Sequence, residues 1–158
     1  MEPVTDATDL LALDRQVCFA LSVASRSVIG LYRPLLQPFG LTHPQYLAML
    51  ALWQHEPLSV KELGVLLQLD PGTLSPLLKR LQALGYINRE RDSKDERTLC
   101  VTLTPAGRAL RAEAEKIPPA IVSRLGMNLE ELQDLHQSLM RVIAAAHAAT
   151  DPGKDPAG

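Results

Sequence analysis

Two groups of side chains in this sequence are reactive enough to suggest a task. The first is a thiol: "LDRQVCFALSVASRS", residues 13–27, holds Cys18 in a strongly apolar helical stretch. The thiolate is the nucleophilic form, and an unperturbed cysteine with a pKa of about 8.5 is mostly protonated at neutral pH. Free cysteine is also among the most buried residue types, so a small core hydrophobe is the competing reading of Cys18. The second group is cationic. Lys79, Arg80, Arg89, Arg91, Lys94 and Arg97 crowd one stretch of a chain whose net charge is −2, while Glu2, Asp6, Asp9, Glu130, Glu131 and Asp134 lie near the ends. A basic middle matters more than the sum, and it points towards nucleic acid. Cys18 and Cys100 are far apart and unlike a CxxC pair, which excludes a dense disulfide or metal framework. His43, His55, His136 and His147 have no convincing ligand spacing. No metal and no cofactor are expected.

These residues need a scaffold, and the bulk numbers bound it. A chain of 158 residues reads as one domain, and it buries roughly two thirds of its unfolded surface. With 46% hydrophobic but only 4% aromatic residues, the core must be Leu, Ala, Val and Ile. No apolar run approaches the roughly 18 residues of a membrane span. The start "MEPVTDATD" is acidic, unlike a basic secretory signal, so a cytoplasmic protein without a structural disulfide is expected.

Helix starts are legible from their caps. Thr42 with Gln45 and Ser59 with Glu62 fit capping boxes, and Asn128 with Glu131 makes another plausible start. Asp70-Pro71 and Thr104-Pro105 set an N-cap before a first-turn proline, and Gly40 and Gly85 sit where helices should stop. Asp9 or Asp14 begins the first helix. The spacing predicts helices at about 10–37, 44–54, 59–67, 71–84, 105–117 and 129–148. Short strands are expected at 86–92 and 97–103, because Leu99, Val101 and Leu103 alternate with Thr98, Cys100 and Thr102. "DSKDE" joins the strands, and the tail 149–158 reads as disordered.

Helices 59–67 and 71–84, joined by three residues, form a helix-turn-helix. In the second, Leu74, Leu77, Leu78, Leu81 and Leu84 make the apolar stripe. Thr73, Pro76, Arg80 and Ala83 face away from it, flanked by Ser75 and Lys79. Hydroxyls near the start and cations further along suit a helix entering the major groove end-on. An ordinary amphipathic surface helix would look the same in isolation. Pro76 is either an interior breaker or, if the helix starts near Gly72 or Thr73, a harmless first-turn residue. The hairpin that follows at once, about 86–103, makes the unit a winged helix. Its tip would lower a cation into the minor groove, with Arg97 the candidate and Asp95 placed to hold it by a carboxylate–guanidinium pair.

The stretch "LDPGTLSPLLKRLQALGYINRERDSKDERTLCVTLTPAG" resembles the core of the MarR family of bacterial winged-helix regulators, with Asp95 and Arg97 as its wing Asp-x-Arg and Leu103, Thr104 and Gly107 as its Leu-Thr-x-x-Gly. The resemblance covers roughly residues 10–148. It implies a mainly α fold with a small β-hairpin and a homodimer on double-stranded operator DNA. Helices of about 10–37 and 105–148 would form its dimerisation part, with the helix-turn-helix at about 59–84. The stripe Leu132, Leu135, Leu139, Val142 and Ile143 independently asks for a partner. Ser75, Lys79, Arg89, Lys94 and Asp95 join Thr73, Pro76, Arg80 and Arg97 as the DNA-binding candidates.

Within the family, "LDRQVCFALSVASRSVIGLYRPLLQPFGLTHPQYLAMLALW" is similar to the organic-hydroperoxide repressors, which implies that an organic hydroperoxide oxidises Cys18 and releases DNA. Tyr32, Arg33, Pro34, Pro44, Gln45, Tyr46 and Trp53 match the surrounding pattern. Tyr32 is the natural hydrogen-bond donor to the thiol. It shares the face of Cys18 but lies about 21 Å along the helix, so it would have to come from the partner subunit of an antiparallel pair. Relatives often carry a second tyrosine where Ser22 stands, and two-cysteine relatives place the second near Ser123. A one-cysteine cycle is therefore expected: sulfenic acid, then a mixed disulfide with a small thiol, or over-oxidation. Cys100 reads as a filler, with a resolving role the alternative. Phe19, Tyr46, Met49 and Trp53 read as core or as pocket walls. Two other functions compete: a regulator answering a phenolic or lipophilic ligand without redox chemistry, and a thiol peroxidase. A pure dimerisation module leaves the wing and its charges unexplained.

Overall fold

The computed structural model describes residues 10–95 and 97–150. It is helical with one small sheet: α1 (Leu10–Leu36), a 3₁₀ turn (Gln37–Phe39), α2 (His43–His55), β1 (Leu58–Ser59), α3 (Val60–Leu67), α4 (Pro71–Ala83), β2 (Ile87–Arg91), β3 (Leu99–Leu103), α5 (Pro105–Ala114), α6 (Ile117–Leu125) and α7 (Leu129–Thr150). The structure divides into two compact units, one up to Pro118 and one from Pro119 onwards.

The caps act as their residue types dictate. The Glu62 N–H donates to Ser59 Oγ at 3.0 Å, the Gly107 N–H to Thr104 Oγ1 at 3.0 Å, and Asn128 and Glu131 exchange both bonds of a capping box. The Thr42 N–H donates to Gln45 Oε1 at 2.9 Å. Gly40 and Gly85 take φ of 72° and 85°, the left-handed region that ends helices cheaply only at glycine.

In the first unit, Leu52, Leu63, Leu74, Leu78, Leu81, Ile87 and Val101 are fully buried between α2, the helix-turn-helix and the sheet. The sheet has order β1-β3-β2 and is antiparallel throughout, with Ile87 opposite Leu103, Arg91 opposite Leu99 and Leu58 opposite Val101. The strand β1 was not expected. Two residues are too short to show alternation, and Ser59 also serves as the cap of α3. Val101 and Leu103 face the core, whereas Leu99, at the tip end, is exposed. Leu84 likewise leaves the α4 stripe, because it forms the C-cap and lies partly exposed.

Helix α6 is a second departure. Its start, Ile117-Pro118-Pro119, reads as a breaker, but prolines in a first turn remove only donors that have no intrahelical partner. In the second unit α7 runs to Thr150, two residues into the expected tail, and 151–158 lie outside the described residues. No residue of α7 is buried, and Leu129, Leu135, Met140, Val142 and Ile143 are exposed along it.

Candidate nucleic-acid interface and thiol site

Helix α4 presents its polar face outward. Thr73, Ser75, Pro76, Lys79 and Arg80 are all exposed while the leucines opposite them are buried. Asp70 caps the helix: its carboxylate accepts the Thr73 N–H at 2.8 Å and the Thr73 hydroxyl at 3.0 Å. Those bonds hold the Asp70 carboxyl below its usual range. The Thr73 hydroxyl therefore donates to the cap. Its lone pairs, and the hydroxyl of Ser75, are what remain for another molecule. Pro76 stands inside the helix, since α4 starts at Pro71. It supplies no N–H to the Gly72 carbonyl, so that helical bond is absent.

The wing tip lies between β2 and β3, and its described residues are Asp92 to Asp95, Arg97 and Thr98. Its tip is organised by carboxylates that accept backbone donors: the Lys94 N–H bonds Asp92 Oδ1 at 2.9 Å, and the Arg97 N–H bonds Asp95 Oδ1 at 3.0 Å. The Thr98 hydroxyl completes the turn on Asp95 Oδ2 at 3.1 Å. The expected Asp95–Arg97 ion pair is thus replaced by an Asx turn. The short Asp side chain reaches the amide two residues on, and no ion pair between the two is present among the described residues. Arg97 and Lys94 project exposed from the tip. Arg89 does something else: its Nε donates to Gln82 Oε1 at 2.8 Å, tying β2 to the end of α4.

The base of the wing is fixed to its neighbours. Glu56 Oε1 accepts the Leu103 N–H at 3.0 Å and pairs with Arg108 Nη2 at 2.7 Å, joining the end of α2 to β3 and α5. Trp53 Nε1 donates to the Gly107 carbonyl at 2.9 Å. An added Cβ at Gly107 would run into the Tyr86 carbonyl oxygen, so only glycine fits.

Cys18 is an exposed, free thiol on α1. With the helix starting at Leu10, Cys18 lies about two and a half turns in, beyond the reach of the helix dipole. Tyr32 is on the same helix, half-buried. Its ring meets His43 edge-on at 4.8 Å and Tyr46 at 5.6 Å. Burial raises the Tyr32 phenol above its ordinary pKa, with no hydrogen bond to the hydroxyl contributing. Burial lowers the His43 imidazole. Cys100 is half-buried on β3, its Sγ 3.9 Å from Asp92 Oδ2. Partial burial, then the Asp92 and Glu62 charges, raise its pKa and keep it a thiol.

The expected pocket residues do not share one site. A cleft of about 410 Å³ between α2 and α5 takes Tyr46 and Trp53, with Leu50, Arg111 and Pro118. Met49 is excluded because it is fully buried, and Phe19 because it projects from α1 with 66% of its surface exposed. Arg111 is a lining residue that sequence reasoning missed, since nothing in its spacing separates it from a solvated helix charge. No group of three or more His, Cys, Asp or Glu among the described residues could hold a metal ion. No described helix is long and apolar enough to cross a membrane.

A family model described as transcriptional regulator SarA/Rot matches residues 30–113. The organic hydroperoxide resistance transcriptional regulator of Bacillus subtilis (strain 168) is 41% identical over 139 residues, 88% of this chain and 95% of that protein. The chain belongs to the MarR family of winged-helix transcriptional regulators. A solved structure of reduced AbfR bound to DNA superposes on this MarR-family chain with TM-score 0.73 and 33% identity, covering 86% of this chain and 95% of that one. A structure of disulfide-formed AbfR gives 0.61 and 35%, covering 84% and 93%. These relatives are regulators, so the thiol-peroxidase alternative falls: the MarR-family chain is a DNA-binding transcriptional regulator and not an enzyme. A pure dimerisation module is set aside with it.

Proposed function

We propose that this regulator is a repressor that binds a pseudo-palindromic operator as a homodimer and releases it when an organic hydroperoxide oxidises Cys18. The observation that carries the reading is the exposed Cys18 thiol on α1 of a chain so similar to an organic hydroperoxide resistance regulator. In the domain spanning 10–148, α4 would enter the major groove with Ser75, Lys79 and Arg80, while Arg97 and Lys94 of the wing reach the minor groove. Arg89 and Asp95 hold these parts in register through Gln82 and the Asx turn. The helices of 10–37 and 105–148 would supply the dimer. The exposed Val17, Phe19, Leu21 and Val23 of α1, and the apolar stripe of α7, are surfaces that a second subunit would cover.

In the antiparallel pairing that follows, Tyr32 of one subunit donates its hydroxyl to Cys18 of the other. Its raised pKa supports the role, because a phenol must keep its proton to donate. The Cys18 thiolate then attacks the peroxide, giving a sulfenic acid and an alcohol. A small cellular thiol would condense with the sulfenic acid to a mixed disulfide and water, and a second thiol would return Cys18 to the thiol, leaving as the disulfide of the small thiol. Replacing Cys18 by Ser tests this. Operator binding by Cys18→Ser is expected to ignore hydroperoxide at concentrations that release the wild type, and equal release from both proteins contradicts it.

One observation favours a second reading. The α2–α5 cleft sets Tyr46, Trp53 and Leu50 beside Arg111, whose charge is paired with Glu115 of the same lining at 3.9 Å, so the cleft is suited to an uncharged phenolic or lipophilic ligand. Release of operator from Cys18→Ser by such a ligand, and not by peroxide, would select it.

A further inference from the structure

Helix α2 places a titratable ring against the tyrosine of the thiol site. His43, the first residue of α2, packs edge-on against Tyr32 of α1 with centroids 4.8 Å apart and planes at 61°. Tyr46, one turn on, closes a triangle of rings, 5.6 Å from Tyr32 and 6.3 Å from His43. Such tilted contacts fix a ring because its positive edge meets its neighbour's negative face. The α2 side of Tyr32 is therefore covered by two rings, and burial alone, without a hydrogen bond to the hydroxyl, accounts for its raised pKa. We infer that His43 is a positioning residue for Tyr32, holding the phenol in its donating orientation while the imidazole is neutral and releasing it on protonation, so that hydroperoxide sensing at Cys18 is gated by pH.

The groups that face the imidazole are few. Tyr32 meets it from α1 and Tyr46 from α2, both neutral at physiological pH, and His43 is in no ion pair among the described residues. A charged imidazolium here is half-buried with no carboxylate to compensate it, consistent with the lowered pKa. On protonation the ring moves towards water and the Tyr32 contact is lost.

The inference rests on the sensing role proposed for Cys18, whose chemistry is defined. The thiolate sulfur attacks one peroxide oxygen, the O–O bond breaks and an S–O bond forms. The departing alkoxide takes up a proton and leaves as the alcohol. Sulfur is oxidised and the hydroperoxide reduced.

The test uses the full chain carrying Cys100→Ser, so that Cys18 is its one thiol. Its oxidation by cumene hydroperoxide is followed by intact mass from about pH 4.5 to 8, comparing His43 with His43→Phe and His43→Ala. The parent is expected to lose rate more steeply towards acid pH than His43→Phe, which packs without titrating, and the two profiles should meet at neutral pH. His43→Ala should be slow across the range while the Phe variant restores the neutral-pH rate. Superimposed profiles for the parent and His43→Phe would overturn the inference while leaving Cys18 sensing intact. An absence of Cys18 oxidation in every protein would overturn the sensing role, and the inference with it.

Discussion

Asp70 illustrates how a single cap carries both fold and interface. Its carboxylate satisfies two Thr73 donors at the N-terminus of the helix proposed to read DNA, and those bonds lower its pKa. The folded state therefore binds its proton less readily than the unfolded chain does. The resulting stability is present above the ordinary value of 3.8 and is lost as pH falls through the lower folded pKa. Asp70→Asn, which keeps an acceptor but not the charge, should flatten the acid limb of a pH–stability curve between about pH 5 and 2. An unchanged limb would show that the cap does not titrate. Lys79 is exposed and free of any ion pair among the described residues, so it is suited to a phosphate. Lys79→Ala should weaken operator and non-operator DNA alike and reduce the salt slope of binding by about 1 per half-site, measured by anisotropy across salt concentrations. Cys18 and Tyr32 were legible as residues, but what surrounds Tyr32 was not. The His43 contact crosses from α1 to α2 and leaves no periodic trace. The Asp95–Arg97 pairing was misread for the opposite reason, because the two residues are so close in sequence that the backbone amide outcompetes the guanidinium.

Helices were legible where their punctuation was local. Thr42, Ser59, Asp70, Thr104 and Asn128 each mark the start they were expected to mark, and an alternating apolar pattern placed β3. The strand β1 and helix α6 were hidden, the first by its length and the second by a Pro-Pro pair that usually signals an end. Contacts that join elements were also invisible. Glu56 links α2, β3 and α5 through Leu103 and Arg108, and removing it strands the partly buried Leu103 N–H. Glu56→Ala should cost about 1–3 kcal/mol in denaturant unfolding. Gly107, squeezed against the Tyr86 carbonyl, should tolerate nothing larger: Gly107→Ala is expected to destabilise by roughly 1–3 kcal/mol or more, through a backbone clash that a rotamer change cannot relieve. A melting temperature equal to wild type would contradict the close approach.

A weak net charge of −2 conceals the division of labour in the whole chain: cations concentrate on α4 and the wing, and apolar surface is left uncovered on α1 and α7. The cationic surface is suited to a polyanion, and the apolar faces of α1 and of α7 are each suited to a partner helix. An oxidised sulfur on α1 would then act at the joint between two subunits, where a small shift alters the spacing of two DNA-reading heads. The most direct measurement is operator binding, with DNA drawn from upstream of the protein's own gene, before and after stoichiometric cumene hydroperoxide, with intact-mass analysis of the same samples. Loss of binding in proportion to a mass gain on Cys18, reversed by added thiol, is the predicted result. Undiminished binding by protein whose Cys18 is fully oxidised would contradict it.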